Sequence, residues 1–197
     1  MERRGQAMSK SRIEAFTDAV IAIVMTLLVL ELPIPKDASW AALGEDGHKL
    51  AIYFISFIFL AIYWNNHHHL FQLVKRVDGV VLWANNLLIL MMTLFPFTTA
   101  WVGEHPLAWP PQALFGMLIL GTDVAYYLLM RALVRVNGKQ SPIGQLFNHY
   151  PKLKWSIVLP VLALIAGALI TPLAVLIVNV FVLLLWFIPE KKVEQTL

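Results

Sequence analysis

Six apolar runs, each about as long as a helix that crosses a bilayer, restrict what this chain can fold into more than any other feature of it. A hydrocarbon core about 30 Å thick needs roughly 20 helical residues per crossing. Bounded by charges, Pro or Gly, the runs cover approximately 12–32, 48–73, 79–102, 111–133, 153–170 and 172–188. The first stops at Pro33 and Pro35, and the last two meet at Thr171-Pro172, which leaves room only for a tight hairpin. Hydrophobic residues make up 59% of the chain and charged residues 14%, with a mean hydropathy of +0.70. A soluble domain carries roughly 25% charged residues, so most of this apolar surface would find no partner in water. The expectation is an all-α integral membrane protein, a single six-helix domain over residues 1–197 with the lipid bilayer around it.

Basic residues near the ends of a span resist translocation, so their distribution orients the chain. Arg3, Arg4, Lys10 and Arg12 precede the first span, Lys75 and Arg76 follow the second, Arg131, Arg135, Lys139, Lys152 and Lys154 lie between the fourth and fifth, and Lys191 and Lys192 end the chain. The opposite loops hold only Lys36 and Lys49. Both termini are therefore expected in the cytoplasm, with the protein multi-pass in the cell membrane. A net charge of only +3, carried in inter-helix loops, argues against a nucleic-acid partner. Cysteine is absent, which excludes disulfides, thiol catalysis and Cys-ligated metals. The first apolar run could be read as a secretory signal, but Glu14 and Asp18 interrupt its start and its removal would upset the charge asymmetry, so a retained helix is expected. Spans one to three and four to six show no internal repeat, which leaves an inverted-repeat transporter without support.

The first span carries two different faces. At 100° per residue, Arg12, Phe16, Ala19, Ile23, Leu27 and Leu30 fall within an arc about 80° wide, with Thr26 at its edge. Phe16, Ile23 and Leu30 repeat at seven residues, a spacing that suits identical helices packed around an axis. Leu28 lies roughly 140° from Ile23 and is read as pointing away from any such axis. Glu14 and Asp18 also point away from the stripe, and Asp18 lies deep enough to need hydrogen-bond donors from other helices. Trp64 and His67, with His68 and His69, and Trp83, Asn85 and Asn86 offer them at similar depth. Consecutive histidines point about 100° apart, so the triplet lacks the one-face spacing of a helical metal site, and no metal or other cofactor is expected. Asp123 is a lone acid within the fourth span, Asn179 is a candidate for interhelical bonding, and Pro96 and Pro160 are expected to kink their helices. Trp40, Trp101, Trp109, Trp155 and Trp186 are read as interfacial anchors.

Arg12-Ile13-Glu14-Ala15-Phe16-Thr17-Asp18 resembles the R-x-x-x-F-S-D signature that opens the first helix of the transmembrane protein 175 family of potassium channels, with Thr17 keeping the hydroxyl of the usual Ser. Trp64-Asn65-Asn66-His67 with Leu70-Phe71 is similar to the family's second-helix W-x-x-H-x-x-L-F, and Trp83-Ala84-Asn85 through Pro96-Phe97-Thr98-Thr99 to its third helix. The resemblance covers mainly the first three spans. It implies a homotetramer like the single-repeat prokaryotic members, without a re-entrant selectivity-filter loop, conducting potassium through a pore lined by the first helix. It places the hydrophobic constriction, or gate, on Ile23, Leu27 and Leu30. It also groups Arg12, Asp18, His67, Trp83 and Asn85 in a polar inter-helix network. Potassium over sodium selectivity is expected to be modest, because no ring of charge faces the pore at its centre, and Glu14 and Glu31 are candidates for attracting monovalent cations at the mouths. Three other readings stand beside the channel: a proton-coupled secondary transporter using Asp18, His67 and Asp123 as a relay, a membrane enzyme with a His-based metal, and a passive membrane scaffold.

Overall fold

A computed structural model describes residues 10–148 and 151–187. The basic residues Arg3, Arg4, Lys191 and Lys192 and the end of the sixth run at Ile188 lie outside the described residues. Described residues form nine α-helices: α1 (Lys10–Leu30), α2 (Trp40–Glu45), α3 (Gly47–Gln72), α4 (Gly79–Thr93), α5 (Phe95–Glu104), α6 (Trp109–Asn137), α7 (Pro142–Asn148), α8 (Pro151–Leu169) and α9 (Leu173–Phe187).

Among them, five stretches are long and apolar enough to cross a membrane: Lys10–Leu30, Gly47–Gln72, Gly79–Glu104, Trp109–Asn137 and Lys152–Leu169. Of the sixth run, α9 covers 15 described residues, below the length of those five stretches. The third run is also more than a kinked helix, since the chain breaks at Leu94 between α4 and α5, with Pro96 in the first turn of α5. Proline has no N–H to donate and its ring crowds the preceding turn, so a new helix starts there at little cost. Pro160 lies inside α8, whose assignment continues through it. Short α2 and α7, below the length of any apolar run, have no counterpart in the sequence reading. Asp78 caps α4 by accepting from Val81 N–H at 2.9 Å, and Arg135 of α6 pairs with its other oxygen at 2.5 Å.

α6 is the hub, packed against α4, α5, α8 and α9. Across its apolar window 61% of residues are buried, against 28% for α1, so α1 lies at the periphery of the bundle. The core beneath it gathers Leu60, Phe71, Leu88, Met92, Phe95, Phe115 and Leu129. Gly116 of α6 and Gly167 of α8 both face Val175 of α9, where a β-carbon would come within 2.6 and 2.5 Å of that side chain. Glycine is what lets these three helices approach, as small residues do at helix contacts in membranes.

Candidate pore-lining face and polar network

α1 packs on α3, α4 and α5 through Ile13, Thr17, Ile21, Val24 and Leu28, each buried. These positions recur at three and four residues and make one continuous face. The sequence stripe occupies a different sector. Phe16, Ile23, Leu27 and Leu30 are 54%, 58%, 44% and 75% exposed, and Thr26 turns its hydroxyl onto the carbonyl of Ile23 at 2.7 Å. The chain thus presents a largely exposed ladder of large apolar side chains down the length of α1. Leu28, though directed away from Ile23 as expected, is only 1% exposed and belongs to the core, so substituting it would disturb packing.

The polar residues separate into a buried chain and an exposed one. Fully buried Asn85 of α4 accepts from Nε2 of His67 in α3 at 2.8 Å and donates through Nδ2 to Oγ1 of Thr17 in α1 at 2.9 Å. The amide thereby joins three helices, and the direction of its bonds places the imidazole proton on Nε2. His67 is further held by stacking on Phe71, with ring centroids 4.4 Å apart. A hydroxyl at position 17 is therefore required by geometry, which accounts for Thr standing where the signature has Ser.

Asp18 lies on the exposed side of α1 and accepts from the indole N–H of Trp64 at 2.9 Å. Trp64 stacks on His68 at 6.0 Å, and Gln72 donates to Nε2 of His68 at 2.8 Å. This continues the polar edge along α3. Arg12 and Trp83, grouped with the network by the resemblance, are not joined to it among the described residues. Arg12 is exposed and makes no hydrogen bond or ion pair to a described residue, and Trp83 is 75% exposed. Glu14 is engaged with Lys10 at 3.9 Å, and Glu31 is exposed at the other end of α1.

Asp123 has a partner that sequence reasoning missed. Tyr63 of α3, separated from it by 60 residues, donates its hydroxyl to Oδ1 at 2.7 Å, while Oδ2 meets no described partner. No local pattern announces such a pair. His67 bonds Asn85 and Asp123 bonds Tyr63, so among the described residues no hydrogen-bonded chain connects Asp18, His67 and Asp123. Asn179 bonds the carbonyl of Val175 in its own helix at 2.8 Å rather than another helix. Ser56 and Thr99 form a further buried link between α3 and α5 at 2.7 Å.

Comparison with known proteins points the same way as these residues. Residues 12–96 match the family model described as the endosomal/lysosomal potassium channel TMEM175. A potassium channel of a Chryseobacterium species is 40% identical over 190 residues, covering 96% of this chain and 98% of that one. A potassium channel of Streptomyces collinus is 39% identical over 98 residues, covering 48% of each. The crystal structure of a lysosomal potassium-selective channel TMEM175 homolog from Chamaesiphon minutus superposes with a TM-score of 0.79 at 24% identity, covering 90% of this chain and 96% of that one. The fold is shared, and identity along nearly the whole of a relative settles the relationship: this multi-pass membrane protein belongs to the TMEM175 family, a family of ion channels, potassium channels among these bacterial relatives, and not of enzymes.

Proposed function

We propose that the chain forms a homotetrameric, potassium-permeable cation channel in the cell membrane, with the exposed stripe of α1 lining its pore. Six crossings per subunit and cytoplasmic termini complete this reading, in which residues 1–197 act as one channel domain. The carrying observation is the pair of faces on α1: one locked into the subunit core, the other an open ladder of Phe16, Ile23, Leu27 and Leu30. Lipid would accept such a ladder alone. The exposed side of α1 also holds Arg12 and Asp18, charged groups that are costly against lipid tails and call for water or other copies of the chain. Cyclic symmetry brings the same face of every copy to one axis.

Rings of Ile23, Leu27 and Leu30 offer an ion no ligand, so a narrow segment lined by them prefers to be dry. A small displacement of α1 that widens the ring admits water and then the ion. No charged side chain lies on the stripe between Phe16 and Leu30, and this supports modest selectivity for potassium over sodium. Glu31 is free to enrich cations at one mouth, a role for which Glu14 is less suited because Lys10 neutralises it. The proton-coupled alternative needs a relay through Asp18, His67 and Asp123, which have separate hydrogen-bond partners. Liposomes loaded with potassium, with pH clamped and a proton ionophore balancing charge, test the proposal. Potassium should flow without a pH difference and somewhat faster than sodium; flux that requires a pH difference and saturates would assign the protein to the transporters.

A further inference from the structure

The loop between α3 and α4 and the turn between α6 and α7 enclose a groove of ≈ 420 Å³ at the end of the bundle that carries most of the basic residues. Its two cations, Lys75 and Arg76, are adjacent, and neither side chain has an ion-pair or hydrogen-bond partner among the described residues. Their backbone is nevertheless fixed. Asn137, at the end of α6, accepts from the N–H groups of Lys75 and Arg76 at 3.0 Å each and donates to the carbonyls of Arg76 at 3.0 Å and Leu133 at 2.9 Å. All the usual bonds of this amide go to holding the loop on the helix, which leaves the two cationic side chains free over a pinned base. Nearby Asp78 is already taken by Arg135 and by the cap of α4.

We propose that this groove binds a phosphate ester, supplied by the headgroup of an anionic phospholipid. A guanidinium fork beside an ammonium matches a phosphate oxygen set, the fork giving direction and the ammonium giving charge. The remaining walls select the source. Leu73, Val136 and Pro142 line the same groove together with Ser141, a mixed wall that suits the glycerol and first methylenes of a lipid better than a fully hydrated free anion. Its level is also right, since it lies where α3 and α6 end and α4 begins, the depth of the headgroups if these helices cross the bilayer. Conduction is not needed for this inference, which stands or falls apart from the pore.

Binding of short-chain phosphatidylglycerol to the full chain in mixed micelles at 0.15 M salt, read by native mass spectrometry, tests the groove, with phosphatidylcholine as the neutral lipid and glycerol phosphate as the soluble ester. Lys75→Ala with Arg76→Ala should weaken phosphatidylglycerol binding about tenfold or more, in line with the contribution of each basic residue near an anionic lipid surface. Phosphatidylcholine binding should not change. Arg131→Ala removes a cation from the same end of α6 but outside the groove, and should stay within about twofold of the parent, as a charge without direct contact would. Should the alanine pair fail to fold, Lys75→Gln with Arg76→Gln removes the charges and keeps the length. Glycerol phosphate bound as tightly as the lipid, and lost in the double variant, would keep the phosphate site but overturn the lipid as its source. Phosphatidylglycerol binding unchanged in the double variant, or lost equally in Arg131→Ala, would overturn the site.

Discussion

The two apolar faces of α1 have similar chemistry and opposite surroundings. Ile13, Ile21, Val24 and Leu28 are enclosed by α3, α4 and α5, while Phe16, Ile23, Leu27 and Leu30 are 44–75% exposed. In a water-soluble protein hydrophobicity itself would mark which face turns inward, because the other would be polar. A membrane removes that contrast, since lipid tails are as apolar as Leu, and packing distinguishes the faces instead. The comparison teaches that substitutions on the inner face should act on folding, and those on the outer face on assembly and flux.

Leu28→Asn should have the largest effect on stability, removing packing and burying an amide without an arranged partner, for a loss of about 3–5 kcal/mol. Thermal unfolding in detergent measures it, and a variant as stable as the parent would erase the distinction between the faces. Thr17→Val should come next. It leaves the Nδ2 donor of Asn85 unsatisfied where α1, α3 and α4 meet, costing about 1–3 kcal/mol, whereas Thr17→Ser restores the acceptor and should recover most of the loss. A loss in Thr17→Ser with none in Thr17→Val would show that the methyl group, not the hydroxyl, matters at this position.

Ile23→Asn should change subunit stability least of the three α1 substitutions, since the side chain is 58% exposed and exposed sites usually shift stability by no more than about 0.5 kcal/mol. Its effect should appear in function, as raised basal flux and weaker potassium preference, because a ring of amides holds water where a ring of Ile does not. Liposome flux from a variant that elutes from size exclusion as the parent does checks this. Smaller still is the contribution of Asp78, whose carboxyl is held below the usual aspartate range first by the Val81 N–H and then by Arg135. A lowered folded value means that the stabilisation is present above about pH 4 and lost as pH falls through the lowered value. Asp78→Asn should flatten that acid limb in a melting-temperature profile against pH.

The long apolar runs and the stripe on α1 were legible because length and a 3.6-residue period are local properties of the chain. So was one donor for Asp18, since Trp64 falls at matching depth in a neighbouring helix, whereas the meeting of Asn85 with Thr17 and His67 was not. What escaped the sequence depends on partners distant along the chain. Tyr63 reaches Asp123 across 60 positions, and Asn137 clamps Lys75 and Arg76 from another helix without any motif to mark it. The core role of Leu28 escaped for a different reason, as angle alone places it off the stripe but does not distinguish a lipid neighbour from a protein one. The break at Leu94 was visible in Pro96 only as a kink, because a proline fixes where a helix is disturbed and the surrounding packing decides whether it resumes in line.

Absence of cysteine permits a direct test of the claim that the outer face of α1 lines the pore. Single cysteines at Ile23, Leu27 and Leu30 can be compared with one at Val29, which is 47% exposed but lies about 120° from Ile23 around the helix. Potassium flux through the reconstituted protein is then measured before and after a small, charged thiol reagent. The account predicts that modification at Ile23, Leu27 and Leu30 alters flux sharply and that modification at Val29 leaves it unchanged; altered flux at Val29 with none at the three stripe positions would contradict it.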